Sequence, residues 1–144
     1  MHGAMRLFTV LVTAALMGGC AVNRATANVD ATADLDKIKT VHVSKPAQDE
    51  RGINVIIADK LRTKGLNVTT GPGKPESGID AVVTYVDKWT WDITMYMLEL
   101  TITIRDPKTE YPLATGNSYH TSLTRKSPKE MVDEVVDNIY KGGE

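Results

Sequence analysis

The chain has 144 residues, with 17 basic and 18 acidic side chains, a net charge of −1 and 42% hydrophobic residues. This length and composition are typical of one small globular domain with a short extension. The absence of a basic excess disfavours nucleic-acid binding, and the single cysteine excludes a disulfide framework within the chain.

The amino terminus is predicted to be a signal peptide. Arg6 precedes the short apolar run "LFTVLVTAAL" (7–16). A basic start, a short apolar core and small residues before a cleavage point are typical of a secretory signal. The run is well short of the ~20 residues that a membrane-spanning helix needs. We therefore predict that residues 1–19 are removed, and a start at Met5 gives a more compact signal than a start at Met1.

The single cysteine, Cys20, directly follows Gly18 and Gly19 at the predicted cleavage point. The stretch "LMGGC" resembles a bacterial lipobox, with Met17 where the pattern prefers leucine. The resemblance implies that Cys20 carries acyl chains that anchor the mature protein to a membrane. Because Ala21 rather than aspartate follows, the resemblance also implies the outer membrane, facing the periplasm. The alternatives are an ordinary signal peptide followed by a chance cysteine, and a small buried cysteine.

Residues 20–35 are predicted to be the lipidated cysteine and a flexible tether. The segment "AVNRATANVDATAD" (21–34) is small and polar and has no sustained period, as is typical of a linker. The single folded domain, expected in the periplasm, is predicted over residues 36–144.

A strand, a helix and a second strand are predicted to open this domain. "IKTVHVSK" (38–45) alternates as a strand does. The segment 49–65 ends at Gly65 and has the apolar stripe of a one-sided helix at Ile53, Ile56, Ile57 and Leu61. "LNVTT" (66–70) follows at once, which predicts a right-handed βαβ unit. The loop "GPGKPESG" (71–78) has Pro75 after its lysine, where a phosphate-binding loop has serine or threonine, and no helix follows it. We therefore predict no nucleotide site.

Residues 80–107 are predicted to form a hairpin of two strands that turn at Asp92 and Ile93. With a two-residue turn, Trp91 pairs with Thr94 and the earlier residues follow in register. One face of the hairpin is then apolar almost throughout, and the other face is mostly polar. A longer loop or a bulge is the alternative, because Asp-Ile is not a preferred turn.

The last two elements are a strand and a helix. "LATGNSYHTSL" (113–123) is predicted to be a strand, and Ser127 and Glu130 have the spacing of a capping box, with Pro128 at the first helical position. The order β-α-β-β-β-β-α predicts an α+β fold. It is a two-layer sandwich, with a mixed four- to five-stranded sheet and two helices on one face.

The predicted hairpin tip contains both tryptophans of the chain. In the predicted register, Trp89, Trp91 and Tyr96 share one face, and Met95 and Met97 share the other. Aromatic residues and methionine are enriched at interfaces, so we predict that these five residues bind a partner or contact acyl chains. The alternative is that they belong to the core, with Trp89 covering a helix end.

We predict no catalytic, metal or cofactor site. His42 and His120 lie in separate strands without a cysteine or carboxylate at metal-ligand spacing. Ser118 and Ser122 are same-strand neighbours of His120 and do not form a triad. Asp87 falls on the predicted core face, where we expect it at an edge or bulge, hydrogen-bonded or hydrated. The alternative for Asp87 is a functional carboxyl with a raised pKa.

The segment "LTITIRDPKTEYPLATG" (100–116), together with the lipobox and the predicted fold, resembles envelope lipoproteins such as the lipopolysaccharide-assembly lipoprotein and the first domain of TolB. The resemblance implies a fold and an envelope compartment. We expect a membrane-anchored, non-catalytic lipoprotein whose domain binds or scaffolds another envelope component in assembly, secretion or transport. The alternatives are a carrier or chaperone for an apolar or lipid ligand held between helices and sheet, and a small hydrolase.

Overall fold

A computed structural model describes residues 22–141; the predicted signal peptide and Cys20 lie outside the described residues. The strands are β1 (Asn23–Val29), β2 (Thr40–Ser44), β3 (Asn67–Gly71), β4 (Ala81–Asp92), β5 (Thr94–Arg105) and β6 (Pro112–His120). The helices are α1 (Ile53–Thr63) and α2 (Pro128–Lys141), and there are short 3-10 turns at Leu35–Lys37 and Ser122–Thr124. Neither α1 nor α2 is long and apolar enough to cross a bilayer.

All six strands form one mixed sheet in the order β1-β6-β5-β4-β2-β3. Strand β2 pairs in parallel with β3, its partner across α1, and with β4, whereas the remaining pairs are antiparallel. This confirms the α+β prediction with a mixed sheet and two helices. The predicted count of four to five strands was wrong, because the sheet has a sixth strand at its edge.

That additional strand is β1, and it lies in the segment predicted to be a flexible tether. It pairs with β6 over its full length, from Asn23 opposite His120 to Val29 opposite Ala114. Backbone hydrogen bonds need no hydrophobic alternation, and an edge strand of small and polar residues can pair without burying a regular apolar stripe. Only Ala27 and Val29 of this strand pack against the core. The tether prediction is therefore wrong for residues 23–29.

Both helices cover the same face of the sheet. Their apolar stripes and the inward residues of the strands form one buried cluster that includes Val43, Ile57, Val83, Ile102 and Val135. The apolar alternation of β4 and β5 therefore forms the inner layer of a two-layer fold. The opposite face is polar and is cross-linked by side-chain hydrogen bonds, such as those from Asn117 to Glu99 and Thr101.

The amino terminus of α2 has the predicted capping box. The Glu130 amide donates to Ser127 Oγ at 3.2 Å, and the Ser127 amide donates to the Glu130 carboxylate at 2.8 Å. Two backbone amides are thereby satisfied reciprocally. Hydrogen bonding to Ser127 holds the pKa of Glu130 below its usual value.

The hairpin register differs from the prediction. Asp92 pairs with Thr94, which leaves Ile93 alone at the apex, and the register shifts once more between Lys88 and Trp89. Because Lys88 pairs with Glu99 and Trp89 pairs with Met97, one extra residue of β5 lies unpaired between them. Between the bulge and the open end of the hairpin, each β4 residue pairs with a β5 residue two positions away from its predicted partner, so the inward and outward faces are as predicted. Between the bulge and the apex, the partner is only one position away from the predicted one, so the β5 side chains there point to the faces opposite to those predicted.

Gly116 of β6 is expected to be intolerant of any side chain. A Cβ at this position would lie 2.8 Å from Val135 Cγ1 and 2.9 Å from Ile139 Cγ1. We expect Gly116→Ala to lower the free energy of unfolding by about 1–3 kcal/mol in urea denaturation, because overpacking forces α2 away from the sheet. In the background Val135→Ala, which makes room, the same substitution should cost clearly less. An equal cost in both backgrounds would contradict this packing.

Strand β1 is expected to be protected at the amides that face its partner β6. Hydrogen–deuterium exchange followed by mass spectrometry should show slow exchange for about half of the amides in peptides that cover residues 23–29, because alternate amides of an edge strand donate to its single partner. The loop over residues 72–79 provides an internal reference for fast exchange. Exchange of residues 23–29 at the rate of this loop would restore the tether interpretation.

Candidate functional site

Four apolar side chains are exposed together at the β4–β5 hairpin tip and the adjoining 3-10 turn. Their exposed fractions are 69% for Trp91, 86% for Ile93, 47% for Met95 and 77% for Leu123. Trp91 and Met95 are direct partners in the β-ladder, and Ile93 is the residue at the apex between the strands. We call these four residues the tip surface. Large exposed apolar groups clustered in this way are typical of contact sites for another molecule or a lipid phase.

The bulge changes which of the predicted site residues belong to this surface. Met97 pairs with Trp89 and is completely buried in the core, so its predicted exposure is wrong. Tyr96 is also buried and lies on the opposite side of the hairpin from Trp89 and Trp91, because it pairs with Thr90. Only Trp91 and Met95 of the five predicted residues are exposed at the tip.

Trp89 is partly buried and fixed from two sides. Its indole Nε1 donates to the Asp87 carboxylate at 2.7 Å, and the Arg51 guanidinium lies 4.1 Å from the ring centroid. The hydrogen bond confirms the expectation that Asp87 is paired, and the ring packs against the core as the alternative for Trp89 proposed. This residue supports the base of the tip and is not part of the exposed surface.

Arg125 ties the 3-10 turn to the hairpin tip. Its guanidinium lies 4.7 Å from the Tyr96 ring centroid and donates to Thr94 Oγ1 at 3.0 Å. The Ser122 hydroxyl donates to the Asp92 carboxylate, which also lies 3.8 Å from Arg125. These contacts hold the turn with Leu123 beside the hairpin and give the Asp92 carboxylate a hydrogen-bond partner and an ion-pair partner.

The same turn holds the first described residue of the chain. The Val22 amide donates to Thr121 Oγ1 at 2.8 Å, and the Val22 carbonyl accepts from the Thr121 amide at 3.0 Å and from Thr124 Oγ1 at 3.0 Å. The start of β1 therefore lies at the same end of the sheet as the tip surface. Sequence reasoning missed this proximity because it treated the segment as a tether.

Ile93 has a backbone conformation that disfavours its own side chain. Its φ is +60°, in the left-handed region where β-branched residues are rare. Glycine or asparagine is the usual choice at such a turn, and an L-residue with a Cβ costs about 1–2 kcal/mol there. Folding alone therefore does not explain an exposed isoleucine at this position.

A second polar cluster lies at the amino terminus of α1 and is structural. The buried Asp49 carboxylate accepts from the Tyr85 hydroxyl at 2.5 Å and from the amides of Arg51, Gly52 and Asn54. Burial acts to raise the pKa of Asp49, but these hydrogen bonds outweigh it and lower the pKa. Burial and the Asp49 charge raise the pKa of Tyr85 far above its usual range. The cluster caps the helix and fastens it to β4.

The structure also brings Ser118, His120 and Glu134 together beneath α2. The Ser118 hydroxyl and His120 Nε2 lie 2.8 and 2.7 Å from the same oxygen of Glu134. Burial acts to raise the pKa of Glu134, but the bonds from His120 and Ser118 lower it overall. Sequence reasoning missed Glu134, which approaches from another element. Serine and histidine both bind the carboxylate rather than each other and both are buried, so they lack the nucleophile–base contact of a triad.

The remaining histidine, His42, hydrogen-bonds to Thr69 Oγ1 at 2.8 Å and to the Gly71 carbonyl at 3.2 Å. These contacts link β2 to β3 on the polar face of the sheet. Among residues 22–141, no group of three or more histidine, cysteine or acidic side chains is arranged to hold a metal ion.

The groove between the two helices is open and charged. It has a volume of about 300 Å³ and is lined by Ile56, Asp59, Lys60, Thr63, Lys129 and Asp133. Lys60 bridges across it to Asp133 at 3.6 Å and to Asp137 at 3.0 Å. Beneath it, the layer between helices and sheet is filled by fully buried side chains.

No family model and no curated protein sequence matches the chain. In structure, the chain is similar to PelC from Paraburkholderia phytofirmans, a dodecamer, with a TM-score of 0.61 and 13% identity over 82% of this chain and 97% of that chain. It is also similar to a PDZ domain protein from Parabacteroides distasonis, with a TM-score of 0.53 and 14% identity over 82% of this chain but only 36% of that chain. At these identities the likeness establishes a shared fold.

A minor lipoprotein from Acinetobacter baumannii overlaps less well, with a TM-score of 0.43 and 12% identity over 74% of this chain and 93% of that chain. An overlap at this level does not extend to a shared function.

Replacing Ile93 by asparagine is expected to stabilise the protein in water. Asparagine tolerates the positive φ, so Ile93→Asn should raise the free energy of unfolding by about 0.5–1 kcal/mol in urea denaturation. The matched control Ile93→Val keeps the β-branched side chain and should give no gain. If asparagine destabilised the protein, Ile93 would contribute to folding in a way that its exposure does not indicate.

Proposed function

We propose that this chain is a membrane-anchored envelope lipoprotein, acylated at Cys20, whose domain binds or scaffolds another component of the envelope without catalysis. The tip surface is the contact site. The outer membrane, with the domain in the periplasm, is the proposed location. Together these assignments make the protein an auxiliary of assembly, secretion or transport.

The observation that carries the proposal is the exposure of the tip surface. Trp91, Ile93 and Leu123 leave most of their apolar area in water, which is unfavourable by about 25 cal/mol per Å² relative to burial. Ile93 adds the cost of its left-handed backbone. A surface with these costs is expected where a contact made outside the domain offsets them.

The anchoring part of the proposal rests on the sequence. A short apolar run, two glycines and a single cysteine stand in the order of a lipobox. Two or more acyl chains give a stable membrane anchor, whereas a single chain gives a marginal one. The fold is compatible with assembly, since PelC, which shares it, is a dodecamer.

Mass spectrometry of the protein purified from bacterial membranes tests the anchor. We expect the mature chain to begin at Cys20 with the added mass of acyl chains, because signal cleavage follows acylation at a lipobox. The variant Cys20→Ser should accumulate unprocessed or enter the soluble periplasmic fraction. A native protein that is soluble and has a free thiol would refute the proposal.

A further inference from the structure

We propose that the tip surface contacts the lipid bilayer itself, so that the hairpin lies against the membrane in which Cys20 is anchored. This inference rests on the proposed function and names the component that the tip surface binds. Its occupant is a phospholipid surface, not a protein.

The first step is the distance between the anchor and the tip. Val22 is fixed by hydrogen bonds to Thr121, which precedes the 3-10 turn, and to Thr124, which is its last residue. Cys20 lies two residues before Val22, and an extended chain spans at most about 3.6 Å per residue, or about 7 Å in all. An acyl chain on Cys20 therefore brings the membrane surface close to this turn.

The second step is that the tip surface lies at this same end. The turn that holds Val22 carries Leu123, and Ser122 hydrogen-bonds to Asp92 at the hairpin apex. The opposite end of the sheet is marked by Tyr111, next to the first residue of β6. From the first to the last of the nine residues of β6 there are eight steps of about 3.4 Å, which separate the two ends by about 27 Å. The four apolar side chains are thus at the anchored end.

The third step is the chemistry of the surface. Tryptophan is enriched at membrane–water interfaces, and isoleucine, methionine and leucine favour the region just below the headgroups. The carboxylate at the apex, Asp92, is held by Arg125 and by the Ser122 hydroxyl, so it does not present an unpaired negative charge to lipid.

The final step concerns freedom of movement. A flexible tether would let the tip turn toward a protein partner away from the membrane, but β1 joins the anchor to the sheet without a linker. Because β1 is paired with β6 from its first residue, an anchor at Cys20 limits the distance between the tip surface and the membrane. The bilayer is then the apolar phase always within reach of Trp91 and Ile93.

Quenching of tryptophan fluorescence by brominated lipid tests the inference. The chain from Cys20 to Glu144 is coupled through its single thiol to a maleimide phospholipid and incorporated into vesicles of phosphatidylethanolamine and phosphatidylglycerol. The substitution Trp89→Phe leaves Trp91 as the single tryptophan. We expect its emission to shift to shorter wavelength on the vesicles, and to lose most of its intensity when the acyl chains are brominated.

The matched control reports from the other end of the sheet. It replaces both native tryptophans by phenylalanine and introduces Tyr111→Trp, with the same anchor at Cys20. Its emission should be the same with and without brominated lipid. A further change, Ile93→Asp in the Trp91 reporter, places a charge at the apex and should remove most of the quenching.

Three outcomes would overturn the inference. They are an unquenched Trp91, equal quenching at positions 91 and 111, or shielding of Trp91 that needs envelope protein in addition to lipid. Because the anchor is attached chemically, the result does not depend on acylation in the cell. An unacylated native protein would refute the proposed function, whereas an unquenched Trp91 in an acylated protein would refute only the contact with lipid.

Discussion

The pairing of β1 with β6 is the interaction on which the arrangement of this molecule depends. It adds a sixth strand to the sheet, and α2 packs against this strand as well as against β6. Each backbone hydrogen bond of the ladder contributes about 0.5–1.5 kcal/mol net, which is enough in sum to hold a seven-residue strand. The pairing also determines where the amino terminus leaves the domain. Without it, the position of a lipid anchor relative to the tip surface would be undefined.

A single unpaired residue in β5 determines which side chains are exposed at the hairpin tip. Between the pairs Lys88–Glu99 and Trp89–Met97, the bulge exchanges the two faces of β5 for the rest of the hairpin. Met97 is thereby brought into the core, and Met95 is placed beside Trp91 at the surface. The same bulge turns Tyr96 toward Arg125, which fastens the tip to the following 3-10 turn. Local geometry in one strand thus selects which side chains can meet another molecule.

Much of the domain could be read from its sequence. The helices follow from the apolar stripe around Ile57 and from the capping box at Ser127, and both are strong local signals. The inward face of β4 follows from its alternation through Val83, because an error of two residues in register leaves the faces unchanged. These features depend on residues close together in the chain, where periodicity is informative.

The features that could not be read depend on contacts or backbone geometry that leave no periodic signal in the sequence. The residues of β1 are small and polar because an edge strand needs little apolar area, so the segment resembles a linker. The bulge is set by how two strands fit over the core, and a rare φ at Ile93 carries no glycine or asparagine signal. The contact of His120 with Glu134 joins a strand to a helix 14 residues later. Each of these needs the assembled fold before it can be stated.

If the chain is anchored as proposed, the replacement of a tether by a strand changes the energetics of membrane association. With a tether, an anchor at Cys20 and an apolar tip would act as two loosely linked contacts. The flexible linker would then lower the effective concentration of the tip at the membrane. With β1 in the sheet, the ends that carry Val22 and Leu123 are already positioned together, so little further ordering is needed for both to meet one surface. The domain would then be oriented as well as retained, with its polar sheet face and the Tyr111 end free of the membrane. An orientation of this kind is what a scaffold requires, because a partner can be held at a defined height only if the module that binds it does not tumble about its anchor.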